Sequence, residues 1–122
     1  MTNEDAKLTV DIANEIEDWI KSEFPDIQVE HLRDCGTKMF WFKHPTKSWR
    51  QVGLMQIPIT TETYYDPDTD TRKVRMSFNK VILNAMEEEY PMDVFYKIFL
   101  HDKQFIRDYF DTCKKLDLAR RN

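Results

Sequence analysis

The sequence predicts a single α+β domain over residues 1–122: an N-terminal helix, a mostly antiparallel sheet of about four strands built from β-hairpins, and two or three C-terminal helices. Apolar residues recur at spacings of three and four near both ends of the chain, which is typical of amphipathic helices. The middle of the chain alternates apolar and polar residues between turn-forming residues, which is typical of hairpins. Apolar residues make up 41% of the chain, which favours a packed core over disorder.

Residues 3–24 predict the first helix, because an apolar stripe follows helical spacing. Thr2 or Asn3 can cap this helix, and two acidic residues in its first turn suit the positive end of the helix dipole. Pro25 ends the helix, since the residue before a proline avoids helical angles. The stripe consists of Leu8, Ile12, Ile16, Trp19, Ile20 and Phe24.

Alternating runs predict strands over residues 27–33, 37–44 and 49–57, separated by short turns. Pro58 has no N–H to donate to a strand ladder, so we expect a sheet edge or a bulge there. The chain then continues as an extended segment over residues 59–65.

The sequence Asp66-Pro-Asp-Thr-Asp70 predicts a hairpin tip, with Asp70 in the left-handed position that glycine often fills. Residues 71–78 return as a strand. In this strand Val74, Met76 and Phe78 share one face, and Lys73, Arg75 and Ser77 share the other.

The C-terminal third predicts helices. Asn79 can cap a helix over residues 80–89, and a second apolar run over residues 94–100 is also helical in spacing. Asp102 can begin a further helix. The pattern leaves open whether residues 93–118 form one helix or two.

Charge is unevenly distributed along a chain whose net charge is −4. The stretch between Asp34 and Glu62 has no acidic residue, although it contains four basic residues and several aromatic ones. Overall acidity argues against general polyanion binding, which needs clustered lysine and arginine, but a local basic surface remains compatible with it. Residues 87–89 are three glutamates, which predict either a solvated face or a contact for a basic partner.

Residues 38–50 are the candidate partner-binding surface. If strands 37–44 and 49–57 pair across a turn at 45–48, Phe40 lies opposite Gly53. Met39, Trp41, Val52 and Leu54 then face the core. The opposite face and its loop hold the candidate residues Lys38, Phe40, Phe42, Lys43, His44, Lys47, Trp49 and Arg50.

Three interpretations of that face stay open. Aromatic side chains beside basic groups suit a protein-binding hot spot. The same combination suits the stacking of single-stranded nucleobases, with phosphates held nearby. Alternatively, the C-terminal helices cover the face and bury its rings.

No catalytic residue, cofactor or metal ligand is predicted. Asp66, Asp68 and Asp70 resemble the start of a calcium loop, but Thr71 and Ser77 stand where that loop needs glycine and glutamate. The chain has only two glycines, which argues against a glycine-rich phosphate loop. The three histidines and two cysteines lack the spacing of a zinc site, and no serine or cysteine stands in a nucleophile motif.

The sequence therefore predicts a small non-enzymatic protein-binding module: an inhibitor, adaptor or accessory subunit that acts through the basic, aromatic hairpin and the acidic first helix. The alternative is a single-stranded nucleic-acid-binding protein that uses the same hairpin. We expect no membrane segment, because no run of apolar residues approaches ~20. We also expect a cytoplasmic protein whose two cysteines are reduced. A phage or mobile-element origin is a guess that no residue pattern carries, and the oligomeric state is open.

Overall fold

The computed structural model describes residues 1–32, 36–43 and 53–120, the last three of these by backbone alone. Within these ranges the chain forms an α+β fold, as its sequence predicts. The elements are α1 (Asn3–Glu23), β1 (Ile27–His31), β2 (Lys38–Phe42), β3 (Met55–Ile57), β4 (Ile59–Asp66), β5 (Thr71–Phe78), β6 (Lys80–Leu83), β7 (Glu88–Pro91), α2 (Met92–His101) and α3 (Lys103–Arg120). These ranges hold more strands than the four that the sequence predicts.

Five strands form one antiparallel sheet in the order β1-β2-β3-β6-β7, and β4 pairs with β5 in a separate two-stranded sheet. One face of the five-stranded sheet packs against all three helices to form the core. Full burial of a large apolar side chain contributes roughly 1.5–3 kcal/mol. The core includes Ile27, Phe40, Phe42, Met55, Ile57, Val81 and Leu83 from the sheet, and Ile16, Ile20, Phe95, Phe99, Ile106 and Phe110 from the helices.

The first helix and the last two agree with the sequence pattern. The Thr2 hydroxyl caps α1 by accepting the backbone N–H of Asp5 at 3.0 Å. The apolar stripe of α1 is buried or half-buried except at Leu8, which is exposed because the core contacts of α1 concentrate in its C-terminal half. Asp102, with a φ of −145°, separates α2 from α3, so residues 93–118 belong to two helices.

A bulge separates the two sheets. β3 continues past Pro58 into β4, and β5 continues past Asn79 into β6, so two long segments run side by side through both sheets. Gln56 pairs with Ile82 and Ile59 pairs with Phe78. Between these two pairs the β3–β4 segment advances by three residues and the β5–β6 segment by four, so the extra residue lies opposite Pro58. This extra residue is a β-bulge, and the prediction of an edge or bulge at Pro58 is confirmed. We call the β4–β5 hairpin the arm.

The predicted helix over residues 80–89 is wrong. β6 and β7 form a hairpin there, with a turn over residues 84–87 in which the Glu87 N–H donates to the Asn84 carbonyl oxygen at 3.3 Å. Val81 and Leu83 alternate with a less buried residue and fill the core, so strand pairing outweighs the local helical spacing. Glu87 has a φ of +54°, the left-handed region that glycine occupies more easily.

The predicted register of the β2 hairpin is also wrong. β2 pairs with β3, but Phe40 lies opposite Met55 instead of Gly53, a shift of two residues. Gly53 has a φ of +71°, and a Cβ on it would lie 3.2 Å from the Phe40 carbonyl oxygen. Gly53 therefore belongs to the connection that leads into β3, and residues 44–52 of the predicted strands and turn lie outside the described residues.

A buried carboxylate joins α1 to the first two strands. Glu17 Oε1 accepts a hydrogen bond from Lys38 Nζ at 2.8 Å and lies 2.6 Å from His31 Nε2, while Glu17 Oε2 lies 3.3 Å from Lys21 Nζ. Burial alone raises the pKa of Glu17. The hydrogen bonds from His31 and Lys38 and the charge of Lys38 together outweigh burial, and they lower the pKa from 4.5 to about 2. The carboxylate therefore stays ionised and fixes the rotation of α1 over β1 and β2.

The left-handed backbone at Glu87 predicts a stabilising substitution. We expect Glu87→Gly to raise the free energy of unfolding by about 0.5–1 kcal/mol, because glycine relieves roughly 1–2 kcal/mol of left-handed strain and loses part of that gain as chain entropy. Urea unfolding measures the change. Glu88→Gly, in β7, is the matched control and should lower stability instead, so a loss in both variants would contradict the strain.

The pKa of Glu17 predicts a pH-dependent contribution to stability. Because the folded pKa lies below the ordinary value of 4.5, the contribution is fully present above pH 4.5 and is lost as the pH falls toward 2. Its size is on the order of 3 kcal/mol. We expect the difference in free energy of unfolding between the natural chain and Glu17→Gln to shrink as the pH falls from about 5.5 to about 3. Glu30→Gln, at an exposed position of β1, is the control, and a Glu17→Gln difference that stays constant with pH would contradict this account.

Candidate functional site

The predicted partner-binding surface does not form an exposed aromatic face where the structure describes it. Phe40 and Phe42 are buried in the core. Lys38 is 5% exposed, and its ammonium group forms an ion pair with Glu17. Of the three interpretations of that face, burial of the rings therefore holds for Phe40 and Phe42, because the side of β2 that carries them faces the helices. A part for these three candidate residues in a partner contact stays a prediction.

The remaining candidate residues divide into two groups. Lys43 is exposed directly after β2, and its backbone N–H donates to the Asp26 carbonyl oxygen at 2.9 Å. The other four lie outside the described residues, so their part in a contact stays a prediction. They are His44, Lys47, Trp49 and Arg50.

The acidic first helix uses several of its carboxylates inside the molecule. Beyond Glu17, the Glu15 carboxylate accepts the Tyr96 hydroxyl at 3.0 Å, and Glu23 pairs with Arg107 at 2.6 Å. These contacts tie α1 to α2 and α3. The other acidic residues of α1 are exposed, namely Glu4, Asp5, Asp11 and Asp18.

One side of the arm is held by α1. The backbone N–H of Phe78 donates to Thr9 Oγ1 at 2.9 Å, so α1 lies along the outer edge of β5 there. Asn3 Nδ2 donates to the Tyr64 hydroxyl at 3.1 Å, and the Arg75 guanidinium lies 4.3 Å from the centre of the Tyr64 ring. These contacts orient the arm relative to the first helix.

The opposite face of the arm carries exposed apolar side chains. Tyr65 is 58% exposed, Val74 62% and Met76 55%. Val74 lies opposite Thr63 and Met76 lies opposite Thr61, so the methyl groups of both threonines extend the same face. Isolated exposed apolar residues are ordinary on a protein surface, whereas adjoining ones form a patch that commonly marks a contact site.

The acidic tip of the arm is organised by its own hydrogen bonds. Lys73 Nζ lies 2.8 Å from Asp66 Oδ2, the Asp68 N–H donates to Asp66 Oδ1 at 3.0 Å, and the Tyr65 hydroxyl donates to the Asp70 carboxylate. The hydrogen bond from Lys73 lowers the pKa of the Asp66 carboxyl group. These contacts are those of a hairpin tip, and Asp70 takes the left-handed conformation that its sequence position predicts.

An apolar pocket lies between the β6–β7 turn and α3, with a volume of about 260 Å³. Ala85 and Met86 of the turn form one wall, and Phe105 and Leu116 of α3 are among the residues opposite. Sequence reasoning missed this site because it assigned residues 80–89 to a helix. The run Val81-Ile82-Leu83 is apolar throughout, so the sequence carries no local signal that separates a hairpin from a helix there.

Residues 1–32, 36–43 and 53–120 hold no group of three or more His, Cys, Asp or Glu side chains placed to bind a metal ion. No helix in the described part of the chain combines the length and the apolar character needed to cross a membrane. Comparison with protein-family models, with curated proteins and with solved structures finds no match to this chain.

Proposed function

We propose that this chain is a non-enzymatic protein-binding module, of the inhibitor, adaptor or accessory-subunit class, that binds an extended segment of a partner protein along the arm. One observation carries the proposal. Three large apolar side chains, Tyr65, Val74 and Met76, are each more than half exposed on one face of a hairpin. The outer edge of β4 beside them pairs with no strand in the described ranges.

The hydrogen-bond pattern indicates which backbone groups are available on that edge. The Ile59 N–H points away from β5 to Thr37 Oγ1 at 3.1 Å, and the Phe78 N–H points away from β4 to Thr9. Because antiparallel ladders alternate inward and outward pairs, the N–H groups of Thr61, Thr63 and Tyr65 also point outward. An extended peptide can pair with these groups by strand addition.

The arm is prepared for such a contact. An isolated two-stranded hairpin is at best marginally stable, but α1 covers the outer edge of β5 at Phe78 and holds Tyr64 through Asn3, and Arg75 packs on the Tyr64 ring. Ordering the arm therefore costs the complex little conformational entropy. Burial of the remaining exposed area of Tyr65, Val74 and Met76 contributes about 1 kcal/mol for each side chain.

The alternative function, single-stranded nucleic-acid binding, loses support from the buried rings of Phe40 and Phe42. Bases cannot stack on aromatic side chains that lie inside the core. The proposal includes a cytoplasmic location, with which the free, buried thiol of Cys113 is compatible.

Two substitutions on the arm test the proposal. Thr63→Pro removes an outward N–H that the β4–β5 ladder does not use, and Val74→Glu places a charge on the exposed face. We expect each to reduce the partner retained by the tagged chain in extracts of its native host by about tenfold, equivalent to ~1.4 kcal/mol. Melting temperatures should change little, because neither group is buried.

Val94→Glu is the matched control, because Val94 is an exposed apolar residue on α2, away from the arm. It should retain the partner as the natural chain does. Equal retention by all three variants would contradict the proposal. Sedimentation equilibrium adds a further check: a dimer that Thr63→Pro converts to a monomer would identify the occupant as a second copy and overturn the proposed partner.

A further inference from the structure

We propose that the pocket between the β6–β7 turn and α3 binds an apolar side chain flanked by lysine or arginine in a basic segment of a partner protein. The pocket is a second contact site, and the inference does not depend on the arm. It rests on the shape of the pocket, the chemistry of its walls and the charge of its rim.

The size of the pocket selects the ligand class. Its volume of about 260 Å³ lies below the roughly 300–1,000 Å³ typical of sites for drug-sized molecules. A single large side chain, such as leucine, phenylalanine or methionine, is of suitable size. The walls supply matching apolar surface, since Met86 is 44% and Leu116 38% exposed beside Phe105. Methionine adapts readily to different apolar shapes.

The floor of the pocket is fixed by Tyr109, whose hydroxyl already has hydrogen-bond partners within the protein and needs none from a ligand. The Tyr109 hydroxyl donates to the Leu54 carbonyl oxygen at 2.5 Å and accepts the Ala85 N–H at 3.1 Å. Burial raises the pKa of Tyr109, so its hydroxyl stays protonated at neutral pH. The side of the ring is left for an apolar contact, and the hydrogen bond to Ala85 anchors the turn that carries Met86.

The turn holds Met86 beside the pocket at an energetic cost. Glu87, the next residue, has a left-handed backbone that disfavours non-glycine residues. Strained backbone of this kind persists where the surrounding contacts fix it, and it is enriched at binding sites. The strain agrees with a binding role for the turn, and the shape and lining of the pocket are the main support for that role.

The rim of the pocket is acidic. Asp108 lines the pocket, and its Oδ1 accepts Gln104 Nε2 at 2.8 Å. The Glu88 carboxylate accepts the hydroxyl of Tyr90, whose ring centre lies 6.1 Å from that of Phe105 in the pocket wall. Glu87 is the last residue of the turn and directly follows Met86 in the chain.

None of these three carboxylates forms an ion pair within the described ranges. Two lysines of the same helix pair elsewhere, Lys114 with Asp26 at 3.5 Å and Lys115 with Asp111 at 3.3 Å. Unpaired negative charge beside an apolar pocket attracts a basic segment and disfavours an acidic peptide or a nucleic acid. The chemistry therefore indicates an apolar anchor with basic neighbours.

Binding of synthetic peptides to the full chain tests the inference. The probe is a fluorescein-labelled peptide, Gly-Arg-Arg-Phe-Arg-Arg-Gly, measured by fluorescence anisotropy. We expect its affinity to fall about tenfold when the central phenylalanine is replaced by alanine, and further when the arginines are replaced by glutamates. No binding of the basic peptide, or equal binding of the acidic one, would overturn the proposal.

Variants of the chain separate the pocket from general charge attraction. Thr112→Trp fills the pocket from an exposed position of α3 and should weaken binding about tenfold. Asp108→Lys should weaken it about fivefold at low salt, with the difference shrinking as salt is added. Asp18→Lys changes the net charge identically on the distant surface of α1 and is the matched control.

Equal losses in Asp18→Lys and Asp108→Lys, with none in Thr112→Trp, would indicate non-specific charge attraction and overturn the site. Circular dichroism checks that each variant is folded. Val74→Glu, on the arm, should bind the peptide with unchanged affinity. A failure of the pocket and a failure of the arm are therefore distinguishable.

Discussion

The packing of α1 across both sheets is the contact on which the rest of the structure depends. The C-terminal half of the helix places Ile16 and Ile20 in the core, and its N-terminal end covers the edge of β5 through Thr9. Glu17 sets the rotation of the helix, since its buried carboxylate must meet Lys38. Breaking one partner of a buried ion pair typically costs about 3–5 kcal/mol, so alternative rotations are strongly disfavoured.

Much of the fold follows from local patterns, because those patterns agree with the tertiary contacts. The cap at Thr2, the interruption at Pro58 and the tip at Asp70 each depend on the chemistry of one residue and its neighbours. The helix predicted over residues 80–89 is wrong for the opposite reason. Its apolar residues satisfy helical spacing and strand alternation alike, and only pairing with β3, distant in the chain, decides between them.

The candidate surface was harder to predict than the fold. Phe40 and Phe42 lie among basic residues, which favours a contact surface, yet their burial depends on which face of β2 meets the helices. A sequence indicates that two faces of a strand differ, but it does not indicate which face is covered. The same limit applies to Val74 and Met76, whose shared face is evident from alternation and whose exposure is not.

The extra residue opposite Pro58 affects how this chain can change through mutation. Met55 and Leu83 hold the register of the five-stranded sheet on one side of the bulge, and the arm on the other side keeps its own pairing. Insertions, deletions or exchanges near the tip at Asp68 therefore need not disturb the core. An arm separated in this way can diversify its binding specificity while the body that supports it is preserved.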